Sequence, residues 1–168
     1  MAAAGRGTNP DRQRVLAELL PLTERRGDAV AGRAVFEKNC AKCHRHSGQG
    51  GAIGPDLTGV AARKRPDILT EVLDPNRSVE GNFQQYTVVL ADGRVLAGLL
   101  AGETRTTLEL VDAEAARHVV LREEIEELEG TSRSLMPEGF EKLPAEELVN
   151  LLEGRSSTRA IEQLGATR

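Results

Sequence analysis

The chain has 168 residues, two cysteines, no tryptophan and a formal net charge of −4, which allows one compact domain with an elaboration and excludes bulk nucleic-acid binding. No apolar run approaches the about 20 residues of a membrane span, and Met1-Ala2-Ala3-Ala4-Gly5-Arg6-Gly7 lacks the apolar stretch of a signal peptide. Large aromatics are confined to Phe36, Phe83, Tyr86 and Phe140, so a helical core would be short of bulky side chains and a buried apolar cofactor would supply the missing volume.

Asn9-Pro10-Asp11 reads as a helix start, with a capping side chain followed by proline at the first helical position. Val15, Leu16, Leu19 and Leu20 give that helix one apolar face, and Pro21 limits its extent. Asp28 is placed to cap a second helix running to about Asn39. Gly32 and Phe36 lie four apart on one of its faces, so another helix can approach at the glycine while the ring fills the space beside it.

That helix delivers Cys40-Ala41-Lys42-Cys43-His44. Two thiols three positions apart, with a histidine directly behind, are the spacing for covalent attachment of c-type haem. Each thiol adds across one vinyl group, and His44 then reaches the iron through an imidazole nitrogen. Two other readings stay open. A redox dithiol opens a helix after a strand, whereas here a helical pattern precedes the motif. A tetrahedral zinc site needs two more ligands at finger-like spacing, and only His46 and His118 remain.

The stretch from Gly48 to Gly54 places four glycines in seven positions and reads as an irregular loop. A phosphate-cradling loop is the alternative, but the Lys-Ser/Thr ending and the preceding strand are lacking. A loop lying against a flat cofactor also needs small residues. The segment that follows, Gly54-Pro55-Asp56-Leu57-Thr58-Gly59-Val60-Ala61-Ala62-Arg63-Lys64, resembles the segment after the haem motif in class I cytochromes c. The resemblance implies that the Pro55 carbonyl accepts the second N–H of His44, that Leu57 packs on the ring and that Arg63 binds a propionate. A solvated charge is the plain alternative for Arg63.

Pro66 opens a third helix with Ile68, Leu69, Val72 and Leu73 on one side, and Asp74-Pro75-Asn76 ends it. From Phe83 to about Leu128 the pattern turns to strand. Tyr86, Val88 and Leu90 alternate, and Asp92-Gly93 signals a hairpin. Arg94–Leu100, Thr106–Val111 and His118–Leu121 give three further runs. Glu123–Leu128 has helix-forming composition and reads as a short strand or turn. The whole is expected to be a small antiparallel sheet inserted into a haem domain, covering the cofactor, setting solvent access or pairing with a second copy through an edge strand.

Ser134-Leu135-Met136-Pro137 is a loop around the single methionine besides the initiator. A thioether opposite a histidine raises the reduction potential of a haem, so Met136 is the candidate sixth ligand. His118 is its rival, and His46 is too near His44 to reach the opposite face. Pro144-Ala145-Glu146-Glu147 begins a last helix, with Leu148, Val149, Leu151 and Leu152 apolar and Gly154 at its end. In cytochromes c such a helix crosses the N-terminal one beside a glycine and an aromatic, the places held here by Gly32 and Phe36.

The combination of Cys40-Ala41-Lys42-Cys43-His44, Gly54-Pro55-Asp56-Leu57, Asp74-Pro75-Asn76, the strand region and Ser134-Leu135-Met136-Pro137 resembles a haem-binding domain at the end of large exported proteins of planctomycetes and verrucomicrobia, over residues from about 30 to 153. Relatives of that kind are often fused to propeller or dehydrogenase-like domains. The resemblance therefore implies a mainly α, cytochrome c-like domain with an inserted β-sheet, α+β overall. Its expected parts are a helical extension over 1–26, a discontinuous haem domain over 27–82 and 130–154, the sheet over 83–129 and a tail over 155–168.

The expected function is monohaem electron transfer rather than catalysis, as an acceptor module of a larger exported protein outside the cytoplasm. The expected cofactor is one covalently attached haem c, with Cys40, Cys43, His44, Pro55, Leu57, Arg63 and Met136 around it and His44 and Met136 on the iron. Lys38, Lys42 and Arg45 offer a basic docking ring for a redox partner or fused dehydrogenase domain. Sensing of CO, NO or O2 through a labile sixth ligand is the alternative, and a small peroxidase using His118 is a weaker one.

Overall fold

A computed structural model describes residues 9–154; the expectations for the first residues and for the 155–168 tail lie outside this range. Four helices form one layer of the molecule: α1 (Pro10–Leu19), α2 (Ala29–Asn39), α3 (Arg65–Leu73) and α4 (Ala145–Gly154). The starts of α1 and α2 are capped as read from the sequence. The Asn9 side chain accepts from the Asp11 N–H at 3.0 Å, and Asp28 accepts from Val30 and Ala31 at 2.7 and 3.0 Å. Pro21 ends α1 by passing the chain into a 3-10 turn, Leu20–Glu24.

Leu16, Leu69, Leu73, Leu148 and Leu152 make the helical core, so α1 inserts a side chain between α3 and α4. The apolar face expected for α3 divides. Leu69 and Leu73 are fully buried in that core, while Ile68 and Val72 line a cavity on the other side. The α2–α4 crossing is close at Gly32. A Cβ built there would stand 1.9 Å from the Asn150 carbonyl oxygen, and one at Gly154 would stand 2.8 Å from the Gly32 carbonyl carbon. The Asn150 side chain ties the same crossing from outside, its Oδ1 accepting from the Asp28 N–H at 2.8 Å.

A five-stranded antiparallel sheet forms the second part. Strands β1 (Arg45–His46) and β2 (Gln49–Gly50) belong to a separate two-stranded hairpin. The sheet itself is built from β3 (Gln84–Leu90), β4 (Val95–Glu103), β5 (Thr107–Val111), β6 (Arg117–Leu121) and β7 (Ile125–Ser134), in the order β6-β5-β4-β3-β7. Its own apolar face is filled by Val88, Leu90, Leu108, Leu110 and Val120, all from strands. The Asp92-Gly93 hairpin joins β3 and β4, with the Gly93 N–H on the Leu90 carbonyl at 2.8 Å.

With strands of up to ten residues beside helices of nine to eleven, the fold is α+β rather than mainly α. The segment left open between strand and turn, Glu123–Leu128, holds a 3-10 turn at Arg122–Glu124 and then β7, which runs to Ser134. The strand therefore passes the expected sheet end at 129. Its Glu-rich composition favours helix, but pairing with β3 from Leu90↔Ile125 to Gln84↔Ser134 overrides that preference.

Candidate functional site

Cys40 is the C-cap of α2, and the chain continues in one further turn. The Cys43 and His44 N–H groups both donate to the Cys40 carbonyl, at 3.1 and 2.9 Å. Residues i, i+3 and i+4 of such a turn share a side, and Cys40, Cys43 and His44 all line one cavity of about 690 Å³. Neither cysteine is in a disulfide. Burial, with the neighbouring Cys43 adding to it, pushes the Cys40 thiol up to about 11. A redox dithiol of the thioredoxin kind has the opposite character, a thiol lowered by a helix N-terminus, so the dithiol reading loses ground. Among the described residues no group of three or more His, Cys, Asp and Glu is placed to hold a metal ion, which leaves the zinc reading without its further ligands.

His44 is nearly buried, and its Nδ1 lies 2.9 Å from the Pro55 carbonyl oxygen. A carbonyl only accepts, so Nδ1 carries the proton and Nε2 keeps its lone pair. Gly54 lets the loop come this near: a Cβ there would stand 2.6 Å from His44 Cε1. Glycines of this loop thus let it pack against the motif, and Gly50 and Gly54 also line the cavities. Gly50 and Gly51 lie against the carbonyls of His44 and Lys42, and the Gly51 and Gly54 N–H groups bond the carbonyls of Ala41 and Cys43, each at 2.8 Å. The stretch read as an irregular loop also contains the β1–β2 hairpin. Gly54→Ala should tilt the imidazole and lower the thermal midpoint of the haem-loaded protein by an amount corresponding to about 1–3 kcal/mol. Gly81→Ala, which lines neither cavity and has open space at its Cβ position, is the control, and equal midpoints for the two variants would sink the assignment.

Leu57 lines the large cavity and also a smaller one of about 320 Å³, which shares Cys40, Val60, Ile68 and Val72 with it. Phe36 lies in the smaller cavity beside His46, ring centroids 5.6 Å apart. Arg63 stands at the rim of the large cavity, but both its terminal nitrogens bond Glu71, each at 2.5 Å. A propionate would have to compete with that carboxylate.

The large cavity is also lined by Leu135, Met136 and Pro137, by Phe83 from the turn before β3 and by Leu99 of β4. Met136 lies two residues beyond the end of β7, and its N–H reaches Ser134 Oγ at 3.1 Å. His118 does not line either cavity. Its Nε2 lies 2.7 Å from Asp112 Oδ2, so the sequence rival for the sixth position is engaged elsewhere. Reasoning from sequence overlooked Asn76, which it used only as a helix end. The Asn76 side chain bonds the backbone of Ser134 and the carboxylate of Glu138. Such a contact joins positions about sixty apart and leaves no local signal.

A cavity of this volume is within the roughly 300–1,000 Å³ of cofactor sites. Its lining mixes apolar side chains such as Leu57, Ile68, Val72 and Leu135 with polar and charged ones. A porphyrin with two thioether attachments and axial histidine fits that donor set. Residues 29–94 match the family model for cytochrome c.

This segment is similar to cytochrome c.

A cytochrome c-553-like protein of Synechocystis sp. (strain ATCC 27184 / PCC 6803 / Kazusa) is 51% identical over 68 residues, which are 40% of this chain and 64% of that protein. The chain thus spans 64% of the length of the curated relative it matches. The cofactor of the cytochrome c-like domain is covalently attached haem c. Among the described residues no helix is long and apolar enough to cross a membrane. The family match ends before Met136, so the methionine side of the cavity stands on its geometry alone.

Proposed function

We propose that this chain is a monohaem electron-transfer module in which Cys40 and Cys43 hold the haem, and His44 and Met136 are its axial ligands. The observation that carries the reading is that one cavity is lined by Cys40, Cys43 and His44 and also by the Met136 loop. When bound, the haem supplies a one-electron ferric–ferrous couple. The chain's own residues do the rest. Pro55 fixes the tautomer and plane of His44. Leu57, Ile68, Val72 and Phe140 keep water from the cavity, and a thioether opposite histidine raises the potential. His118, the acid–base group of the peroxidase alternative, lies outside the lining of both cavities and bonds Asp112.

The wider reading is that the module accepts electrons from a redox partner or a fused domain of a larger exported protein, in an extracytoplasmic setting where haem is attached covalently. Lys38 and Arg45 fit docking to an acidic partner; Lys42 lies 3.9 Å from Glu114 across the sheet's β5–β6 turn. A homodimer through the sheet would use β6, which exposes Val119 and Leu121, since Glu126, Glu127 and Glu129 on β7 would repel their own copies. Sedimentation velocity reads that association directly.

The test of ligation is the absorption spectrum of ferric and ferrous protein, with and without CO, beside Met136→Ala. The wild type should show the weak sulfur-to-iron band at the red end and resist CO; the variant should lose the band completely and take up CO. A wild type that lacks the band and binds CO at once would remove Met136 from the iron and favour the gas-sensing alternative.

A further inference from the structure

The methionine loop is held from a distance. Asn76 follows the end of α3, and its side chain reaches both flanks of the loop. Oδ1 accepts from the Ser134 N–H at 2.9 Å, and Nδ2 donates to Glu138 Oε1 at 2.6 Å. Met136 lies midway between those two partners. Glu138 is held in turn by Arg12 of α1 at 3.3 Å, and Arg12 also pairs with Glu141 at 2.9 Å and reaches the Leu73 carbonyl at 3.4 Å. The loop has little else of its own: the Met136 N–H to Ser134 Oγ bond is local. Its anchor on one side is β7, where Ser134 pairs with Gln84.

The geometry points to Asn76 as the positioning residue that holds the Met136 loop closed over the haem cavity, with Glu138 and Arg12 carrying the same restraint to α1. The inference rests on the ligation reading above. An amide is the suitable group, because one side chain must accept from a backbone N–H and donate to a carboxylate at once. Asp74 and Pro75 line the cavity and Asn76 follows them, so the end of α3 and the loop meet at the cavity through the Asn76–Ser134 bond. The restraint is two hydrogen bonds, and the one to the Glu138 carboxylate is of the stronger, charge-assisted kind. Losing them should raise the frequency of loop opening without moving Cys40, Cys43 or His44.

The experiment compares wild type, Asn76→Ala and Glu138→Ala, all haem-loaded. At saturating CO, the rate of CO uptake by the ferrous protein reports how often the sixth ligand leaves. Asn76→Ala should speed uptake roughly tenfold or more, and should weaken the red-end band of the ferric form. Glu138→Ala removes an exposed partner, leaves the fold intact, and should give a smaller acceleration in the same direction. Leu108→Ala, a cavity in the sheet core away from the loop, serves as a destabilised control. Should it accelerate uptake as much as Asn76→Ala at equal loss of thermal midpoint, the effect is global and the assignment fails. Unchanged uptake in a folded Asn76→Ala also overturns it. A wild type without the band fails the ligation reading itself, and the clamp falls with it.

Discussion

Replacing Cys40 and Cys43 together by serine is expected to abolish covalent haem attachment and, with it, the cooperative fold of the helical layer. The first effect follows from chemistry, since serine hydroxyls do not add to vinyl groups. The second follows from packing. Leu57, Val60, Ile68, Val72 and Leu151 face the two joined cavities. Protein interiors are otherwise close-packed. Without the porphyrin those side chains line a void or meet water, and burial worth about 25 cal/mol per Å² of apolar surface is lost. Across several aliphatic side chains this is comparable with the whole stability of a domain, about 5–15 kcal/mol. The measurements are haem staining on a denaturing gel and the far-ultraviolet circular dichroism melt. A double variant that melts cooperatively at the wild-type midpoint would show that the cavity is not filled by the attached group, and would return the motif to the dithiol reading.

Gly32→Val should be the most damaging substitution away from the haem. The added side chain would meet the main chain of α4, with its Cβ 1.9 Å from the Asn150 carbonyl oxygen. Backbone cannot step aside as a flexible side chain can, so the two helices must separate. That strains the Asp28–Asn150 and Gly27–Glu153 bonds at 2.8 and 3.3 Å. Overpacking of this kind costs about 3 kcal/mol or more, which for a domain of this length is a fall of roughly 6–12 °C in thermal midpoint. Gly81→Ala is the matching control, because no atom lies within 4 Å of its Cβ position. Equal midpoints for Gly32→Val and Gly81→Ala would mean that α2 and α4 do not cross as described.

Much of the helical layer was legible because its signals are local. Asn9 and Asp28 mark helix starts through bonds to residues two or three away, Pro66 marks one through its fixed φ, and Gly93 marks a hairpin. The motif Cys40–His44 was legible for the same reason, all three reactive groups lying within one turn. Strand β7 was not. Its residues Glu126, Glu127, Leu128 and Glu129 carry no alternation, being largely exposed, and the strand exists through its partner β3. Arg63 was read by analogy alone, and its pairing with Glu71 eight residues on belongs to the folded chain.

The Cys40–His44 spacing and the capped helix starts were legible in the sequence, because each depends on groups within a few residues of one another. The tertiary structure decided which surfaces meet. It split the face of α3 between core and cavity, set Gly32 against Asn150 and Gly154, engaged His118 with Asp112, and brought Met136 to the cavity at the end of a sheet strand. It also joined Asn76 to Ser134 and Glu138. Contacts of that span are set by how elements pack, and no spacing along the chain encodes them.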